Sequence, residues 1–116
     1  VLKSVTKYTN NTGNSSAASA VTATTDYFFL LSEYEVFGST NYANSNEASK
    51  QAQYSYYSAG NSKKKYNHSA TSITARWWLR SPVASSTDYF AYVGIYGAGS
   101  SYVAYYSYGF TPGFCV

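Results

Sequence analysis

The sequence predicts an α+β fold, with one or two short helices early in the chain and a twisted antiparallel sheet late. Helical signals are confined to residues 32–59, where a helix-capping sequence precedes a segment rich in Ala, Glu, Lys and Gln. From residue 76 onward, short runs of Trp, Tyr, Phe and Val alternate with glycines, which is the pattern of strands joined by turns. Polar segments separate these elements, so we expect much of the chain to be loop.

The size and composition fit one folded domain. A chain of 116 residues is long enough to bury a single hydrophobic core. Charged residues are only 11% of the chain, against about 25% in typical soluble domains. Aromatic residues reach 20%, which argues against disorder because disordered segments are poor in aromatics. No run of about 18 apolar residues occurs, so the sequence predicts no membrane span.

We expect residues 1–25 to form an N-terminal strand and a polar loop, and residues 26–116 to form the main part of the same domain. The loose alternation in residues 1–8 predicts a short edge strand, and the polar composition of residues 10–20 predicts a surface loop. The aromatic run at residues 26–31 predicts a buried strand. Because the chain does not start with Met, we expect it to be the C-terminal part of a longer protein.

Two helices are predicted next. Ser32 and Glu35 have the spacing of a capping box, which would start a short helix that Gly38 ends. Residues 47–59 have the best helical composition in the chain and an apolar face at positions i, i+4 and i+8. That face comprises Ala48, Ala52 and Tyr56, with Tyr57 beside them. Residues 61–74 are then expected to form a long polar excursion.

The C-terminal part predicts a core strand and the strands around it. Residues 76–79 are too bulky and too few for a helix, and the side chains of two adjacent tryptophans point to opposite faces of a strand. Residues 89–93 and 101–106 predict further strands, with Phe90 facing the core. Residues 109–116 alternate and contain a proline, which predicts an edge or irregular strand that closes the sheet.

Seven of the 15 tyrosines lie in a Tyr/Ser/Gly/Ala segment between the tryptophans and the last strand. Tyrosine offers a large, rigid, amphipathic contact at low entropic cost, and Ser and Gly supply adaptable hydrogen bonds, as in antibody paratopes. The alternative is that these tyrosines are ordinary sheet residues, since Tyr favours strands. We favour presentation to a partner. The expected ligand-binding residues are Tyr89, Tyr92, Tyr96, Tyr102, Tyr105, Tyr106 and Tyr108.

Four segments together carry a resemblance to a known family: residues 30–38, residues 57–62, the WWLRSP sequence Trp77–Pro82, and residues 108–114. They resemble an uncharacterised domain family of gut bacteria and their phages, in which WWLRSP is followed by a variable stretch and then by G-V-R-P-A/G-F. That family is similar to the C-type-lectin fold of the formylglycine-generating-enzyme type. Related domains are the variable proteins of diversity-generating retroelements. The similarity covers the chain from about Asp26 onward.

The resemblance implies a C-type-lectin-like display domain on a phage virion, for example in a phage tail, or on a bacterial cell surface. Residues 83–108 would then be the stretch that a retroelement diversifies. Phe110 and Thr111 stand where the family has Val-Arg, and the loss of that arginine would loosen the last strand. The expected scaffold residues are Trp77, Trp78, Leu79, Arg80, Phe90 and Phe114.

The sequence offers no catalytic or metal-binding constellation. Cys115 is the only cysteine, so no intrachain disulfide forms, and the paired-cysteine chemistry of the sulfatase-activating enzymes does not carry over. The five acidic residues are scattered, and none of the calcium motifs of sugar-binding lectins occurs. We expect Glu33 and Glu35 to cap a helix rather than to act as an acid–base pair. The prediction is a protein that is not an enzyme and needs no cofactor or metal.

The basic residues are expected to be solvated or structural. Three consecutive lysines at residues 63–65 would suit nucleic acid or an anionic glycan, but a short run without a larger basic face favours a solvated loop. Arg76 and Arg80 flank the tryptophans. We expect a structural anchor there, in which an arginine stacks on an aromatic ring or pairs with a buried carboxylate such as Glu33 or Glu35.

The expected function is a non-enzymatic ligand- or receptor-binding display domain. Its partner would be a protein or a glycan on a target surface, not nucleic acid, and oligomers would form through the parent protein. Two alternatives remain open. One is a carbohydrate-binding module that stacks the same aromatic rings on sugars, and the other is a structural assembly domain of a fibre, with the tyrosines buried between copies.

Overall fold

Short strands and very short helices make up the secondary structure. The computed structural model describes residues 1–11 and 14–116, without the side chains of residues 70 and 71. The strands are β1 (Val5–Asn10), β2 (Val21–Asp26), β3 (Phe29–Leu30), β4 (Lys65–Asn67), β5 (Ala70–Ala75), β6 (Trp77–Pro82), β7 (Tyr89–Val93), β8 (Gly99–Val103), β9 (Gly109–Phe110) and β10 (Pro112–Gly113). The α-helices are α1 (Glu33–Phe37) and α2 (Ser55–Ser58), and 3-10 helices span Ala18–Ala20 and Ser45–Lys50.

The strands form one four-stranded sheet and three two-stranded sheets within the described residues. The large sheet has the order β8-β7-β6-β9, in which β9 runs parallel to β6 and the other neighbours are antiparallel. The two-stranded sheets pair β1 with β2, β3 with β10, and β4 with β5, all antiparallel. The predicted α+β class, with short helices early and a mostly antiparallel sheet late, is confirmed. No helix of the described chain is both long and apolar enough to cross a membrane.

Strand β6 organises the hydrophobic core. Its side chains alternate, so that Trp77 and Leu79 are buried on one face while Trp78 and Arg80 are half-buried on the other. The buried pair packs with the other core residues, which are Val36 of α1, Tyr57 of α2, and Ala91 and Val93 of β7. The indole nitrogen of Trp77 donates a hydrogen bond to the Lys63 carbonyl at 3.0 Å, so this core also fixes the chain that leads into β4.

Helix α1 begins and ends where the sequence predicts. The Ser32 hydroxyl accepts a hydrogen bond from the Glu35 backbone N–H at 3.1 Å, and the Glu35 carboxylate accepts one from the Ser32 N–H at 2.9 Å. Gly38 ends the helix in the left-handed conformation, at φ 69°, which glycine adopts without steric cost. The expectation that Glu35 caps this helix is therefore confirmed.

Glu35 also lies at the centre of a buried ion cluster. Arg80 Nη1 lies 2.6 Å from one carboxylate oxygen and Lys7 Nζ lies 2.6 Å from the other. Arg80 also donates to the Leu30 carbonyl at 2.7 Å and to the Thr9 hydroxyl at 3.0 Å. Burial on its own would raise the pKa of Glu35, but the hydrogen bonds and charge of Arg80, together with Lys7, lower it below its usual value. The prediction that Arg80 is a structural anchor on a buried carboxylate is confirmed.

Glu33 and Glu47 are the other buried carboxylates. Glu33 accepts hydrogen bonds from the backbone N–H groups of Asn41, Tyr42 and Ala43, the shortest at 2.7 Å, and so holds the loop after α1. Glu47 Oε1 accepts from the Asn10 N–H at 3.1 Å, but Glu47 Oε2 has no hydrogen-bond partner among the described residues. Burial raises the pKa of Glu47 from 4.5 to about 7, although the hydrogen bond from Asn10 opposes this shift.

The predicted helix over residues 47–59 is wrong. A 3-10 helix ends at Lys50, the chain is extended at Gln51 and Tyr54, and only the single turn of α2 follows. Long-range bonds explain the break, because the Tyr54 N–H donates to the Glu35 carbonyl at 3.0 Å and Glu47 turns inward to Asn10. Of the expected apolar face, Ala52 and Tyr56 are exposed and Ala48 is half-buried, whereas the neighbouring Tyr57 is buried.

Other segment boundaries also differ from the expectations. The first strand spans Val5–Asn10 rather than residues 1–8, and it pairs with β2, a strand that no sequence pattern indicated. The run at residues 26–31 forms only the two-residue strand β3, in which Phe29 is buried, while the two preceding aromatic residues are exposed. The polar excursion at residues 61–74 contains the β4–β5 hairpin. The expected surface loop at residues 10–20 lies partly outside the described residues.

The C-terminal segment does not form one closing strand. Residues Gly109–Phe110 pair with β6 and residues Pro112–Gly113 pair with β3, so two short strands of different sheets replace it. Phe114 was expected to be a scaffold residue, but its side chain is 57% exposed and contacts Phe28, with the ring centroids 6.2 Å apart. Phe90 was expected to face the core, but it is only half-buried and lies opposite Tyr102 in the β7–β8 pairing.

Replacing Arg80 by methionine should strongly destabilise the fold. Arg80→Met leaves the buried Glu35 carboxylate with Lys7 alone, and breaking a buried ion pair costs about 3–5 kcal/mol of unfolding free energy. Arg76→Met is the matched control, because Arg76 is exposed and contacts only an aromatic ring, which is worth less than about 1 kcal/mol. Urea denaturation measures both changes. Equal losses in the two variants would show that the ion cluster does not hold the fold.

Replacing Glu47 by glutamine should change how stability depends on pH. Because the pKa of Glu47 is raised from 4.5 to about 7 in the folded protein, stability that is present below about pH 4.5 is lost as the pH rises towards about 7. The glutamine of Glu47→Gln carries no charge at any pH, so the variant does not lose this stability. The difference in unfolding free energy between the variant and the wild type should therefore shift in favour of the variant by on the order of 3 kcal/mol as the pH rises through this range. Denaturation at a series of pH values tests this. A difference that stays constant with pH would contradict it.

Candidate binding surface

Seven aromatic rings form a continuous cluster on the large sheet, hereafter the tyrosine cluster. The members are Trp78, Tyr89, Tyr92, Tyr102, Tyr105, Tyr106 and Tyr108. The cluster begins where β7 and β8 pair, with Tyr89 opposite Val103 and Phe90 opposite Tyr102. Tyr89 and Tyr102 are offset by one residue across the two strands, and their rings stack with centroids 6.1 Å apart and an interplanar angle of 5°.

The chain that leaves β8 extends the cluster. Tyr106 is its central ring, with centroid distances of 4.5 Å to Tyr102, 5.0 Å to Tyr105 and 6.1 Å to Tyr108. A hydrogen bond of 3.4 Å joins the hydroxyls of Tyr102 and Tyr106. The indole nitrogen of Trp78 donates to the Tyr106 carbonyl at 3.3 Å, which ties this segment to β6. The exposed rings are thus held by one another and by the framework strand.

Trp78 and Tyr92 form the base of the cluster. They lie directly opposite each other in the β6–β7 pairing, with centroids 5.9 Å apart, and Tyr108 covers both at 4.7 Å and 4.9 Å. As a result Tyr92 is only 9% exposed. The expectation that Tyr92 contacts a ligand directly is therefore corrected, because its ring supports the cluster from beneath. Trp78 has the same supporting position, in agreement with its expected scaffold role.

The other predicted tyrosines differ in how they are presented. Tyr105 is 80% exposed, and Tyr89, Tyr102 and Tyr106 are 37–41% exposed. Tyr108 is half-buried between Trp78 and Tyr106. Tyr96 is also highly exposed, but it lies in the turn between β7 and β8, at the opposite end of the hairpin from Tyr89 and Tyr102. The structure therefore brings together six of the seven predicted tyrosines and leaves Tyr96 apart.

Two hydroxyl groups of the cluster have a raised pKa. The hydrogen bond to Tyr106 raises the pKa of Tyr102, and burial raises the pKa of Tyr108. A neutral phenol both donates and accepts hydrogen bonds. The cluster thus presents flat apolar ring faces bordered by neutral hydroxyls, which suits contact with amphipathic surfaces.

Two grooves flank the cluster. One, of about 380 Å³, is mainly apolar. It is lined by Leu30, Trp78, Leu79, Arg80, Phe90, Ala104 and Phe110. The other, of about 540 Å³, lies between the β4–β5 hairpin and β9, and is hereafter the hairpin groove. Its lining includes Tyr66, His68, Thr74, Arg76, Ser107, Tyr108 and Phe110. The cluster and the hairpin groove share Tyr108, so together they form one extended surface.

No sequence pattern indicated the hairpin groove. Tyr66, His68 and Thr74 come from a segment that we expected to be a polar loop, and the pairing of β4 with β5 places them on one side of the groove. The lysine run also departs from the expected solvated loop. Lys63 Nζ lies 5.7 Å from the Phe37 ring centroid and Lys65 Nζ lies 5.6 Å from that of Trp77, whereas Lys64 is exposed.

The residues that could act as acids or nucleophiles make contacts within the fold. Ser81 is buried and its hydroxyl accepts a hydrogen bond from the Glu33 N–H at 3.0 Å, while Glu33 and Glu35 are occupied by backbone and cationic partners. Cys115 is half-buried and has a free thiol, and its backbone carbonyl accepts a hydrogen bond from the Lys3 N–H at 2.9 Å. Among the described residues no three His, Cys, Asp or Glu side chains come together in a way that would hold a metal ion.

Comparison with known proteins gives a family but no activity. A family model described as a domain of unknown function, DUF6273, matches residues 2–116. No curated protein and no solved structure matches the chain. Because the match extends over almost the whole chain, this protein belongs to the DUF6273 family of domains of unknown function.

Proposed function

We propose that this domain is a non-enzymatic binding module that presents the tyrosine cluster to a protein or glycan on a target surface. The single observation that carries the proposal is the contiguity of the cluster, in which four rings are 37–80% exposed yet ordered by contacts with one another. A continuous exposed aromatic surface on a soluble domain marks an interaction site more often than isolated exposed side chains do.

The internal order of the cluster favours binding over a purely structural role. Association costs free energy when flexible side chains must be fixed at an interface. Here Tyr106 is fixed by three neighbouring rings and by the Trp78 bond to its carbonyl, so little further ordering is needed. Tyrosine is also enriched among the residues that dominate binding energy at protein interfaces.

The resemblance of the sequence motifs supports a more specific form of the proposal. In the uncharacterised family that these motifs resemble, a variable stretch follows the WWLRSP sequence, and related domains are the variable proteins of diversity-generating retroelements. In this chain residues 83–108 follow Trp77–Pro82, and they supply six of the seven rings of the cluster. We therefore propose a C-type-lectin-like display domain, diversified by a retroelement, on a phage virion or a bacterial cell surface.

The two alternatives predict different partners for the same rings. A carbohydrate-binding module would stack Tyr105 and Tyr106, whose planes are 23° apart, on sugar faces. An assembly domain would bury these rings between copies of the chain. We expect light scattering to find a monomer even at high protein concentration. Self-association that the Tyr105→Ala, Tyr106→Ala double variant abolishes would instead favour assembly.

The same double variant should lose binding without losing stability. Tyr105→Ala with Tyr106→Ala removes the most exposed ring and the central ring, so affinity for a partner should fall at least about 30-fold, as for hot-spot residues. Binding to arrays of cell-surface glycans and bacterial surface proteins measures this. Tyr27→Ala with Tyr56→Ala is the matched control, because these rings are comparably exposed but belong to neither the cluster nor the hairpin groove.

The outcome of this comparison decides the role of the cluster. Equal binding by the two double variants would contradict the proposal. A thermal midpoint that falls steeply for Tyr105→Ala, Tyr106→Ala but not for the control would show that the rings stabilise the fold rather than contact a partner. Neither Tyr105 nor Tyr106 contributes to the buried core around Trp77, so we expect their double variant to melt within a few degrees of the wild type.

A further inference from the structure

The hairpin groove carries a solvent-exposed cation, Arg76, beside the tyrosine cluster. Arg76 is exposed at the start of β6, and its guanidinium carbon lies 5.7 Å from the centroid of the Tyr108 ring. In the described part of the chain, both ion pairs belong to Lys7 and Arg80, and no hydrogen bond uses the Arg76 guanidinium. The two arginines on either side of the tryptophans thus differ, since Arg80 donates to several protein partners and Arg76 keeps its guanidinium donors free in the described part of the chain.

Arg76 brings a positive charge to the hairpin groove without a neighbouring acid. Among the described residues that line the groove there is no Asp or Glu. Three of the five acidic residues of the chain are buried in the interior and already bonded there. Of the other two, Asp26 accepts a hydrogen bond from Thr24 and Asp88 from Ser86, both away from the groove. A ligand that carries negative charge would therefore meet a complementary potential at Arg76.

The shape of the groove favours a planar anion at one defined place. A guanidinium that lies over a tyrosine ring keeps its edge free, and that edge forms paired parallel hydrogen bonds with a carboxylate. The Gly109 N–H donates to the Arg76 carbonyl at 3.0 Å, which fixes the backbone of Arg76 against β9. The groove volume of about 540 Å³ lies within the range of roughly 300–1,000 Å³ for ligand sites.

The remaining lining is the chemistry that recognises sugars. Tyr66 and Phe110 are 55% and 69% exposed and present ring faces, and Thr74 and Ser107 add neutral hydroxyls. Aromatic faces with a few polar groups that fix orientation are typical of sites for small polar ligands. Because Tyr108 borders both the groove and the tyrosine cluster, a chain of sugars that starts in the groove would continue across the cluster.

We propose that the hairpin groove binds a carboxylate-bearing sugar of an acidic glycan, with Arg76 as the residue that holds the carboxylate. This inference rests on the proposed binding function and narrows its ligand to one class. Tyr66, Tyr108 and Phe110 contact the sugar rings, and the tyrosine cluster contacts the units that follow.

An array of uronic- and sialic-acid glycans, each paired with its methyl-esterified form, tests the proposal. Esterification keeps the sugar but removes the charge, so it should weaken binding at least about tenfold. Arg76→Gln should weaken binding to the acidic forms by a similar factor and leave binding to the esters unchanged. Arg76→Lys should bind the acidic forms more tightly than Arg76→Gln but less tightly than the wild type, since an ammonium cannot form the paired hydrogen bonds. Lys50→Gln, which removes an exposed cation outside the groove, should bind like the wild type.

Several results would overturn the proposal, and they differ from those that bear on the tyrosine cluster. No binding to any acidic glycan at millimolar concentration, equal affinity for acids and esters, or an unchanged affinity in Arg76→Gln would each reject it. Binding of an acidic peptide such as poly-glutamate in preference to all glycans would reject the sugar as the ligand. Binding of a neutral ligand or a protein that depends on Tyr105 and Tyr106 but not on Arg76 would reject the acidic glycan and leave the proposed function in place.

Discussion

The rest of the structure depends on one interaction, the pairing of the Glu35 carboxylate with both Arg80 and Lys7. It joins α1 to β6 and β1, and Arg80 extends the connection to the Leu30 carbonyl of β3. Two-stranded sheets are marginally stable alone, and most sheets of this protein have two strands. A buried charge is tolerated only where its partners stay in place, so these small elements are stable only as a unit.

Local sequence signals located the elements whose geometry is set locally. The Ser32–Glu35 capping box and Gly38 define α1, and the bulky run that starts at Trp77 defines the core strand. The failure at residues 47–59 has a distant cause. Glu47 bonds to Asn10, 37 residues away, and Tyr54 bonds to Glu35. Helix propensity is worth at most a few tenths of a kcal/mol per residue, so such tertiary contacts override it. A single sequence does not reveal them.

The sequence predicts which residue types make up the candidate site, but it does not predict how they are arranged in space. The tyrosine-rich segment indicates a surface of rings, yet strand register decides which rings are presented. Tyr92 is covered because it lies opposite Trp78, and Tyr96 is separated because the hairpin turn carries it to the other end. The hairpin groove needs β4, β5 and β9 to meet, and β9 is placed by its pairing with β6, which joins Trp77 to Gly109 far along the chain. No local pattern encodes that meeting.

The buried ion cluster has a consequence for how this protein tolerates mutation. Its carboxylate, its two cations and the carbonyls that Arg80 contacts all come from residues before 83. The exposed rings of the tyrosine cluster all come from residues after it. Substitutions at the exposed ring positions therefore leave the charged centre intact. The charged centre and the exposed rings come from separate parts of the chain, so under the proposed function the ring positions can change while the contacts of Glu35 stay in place.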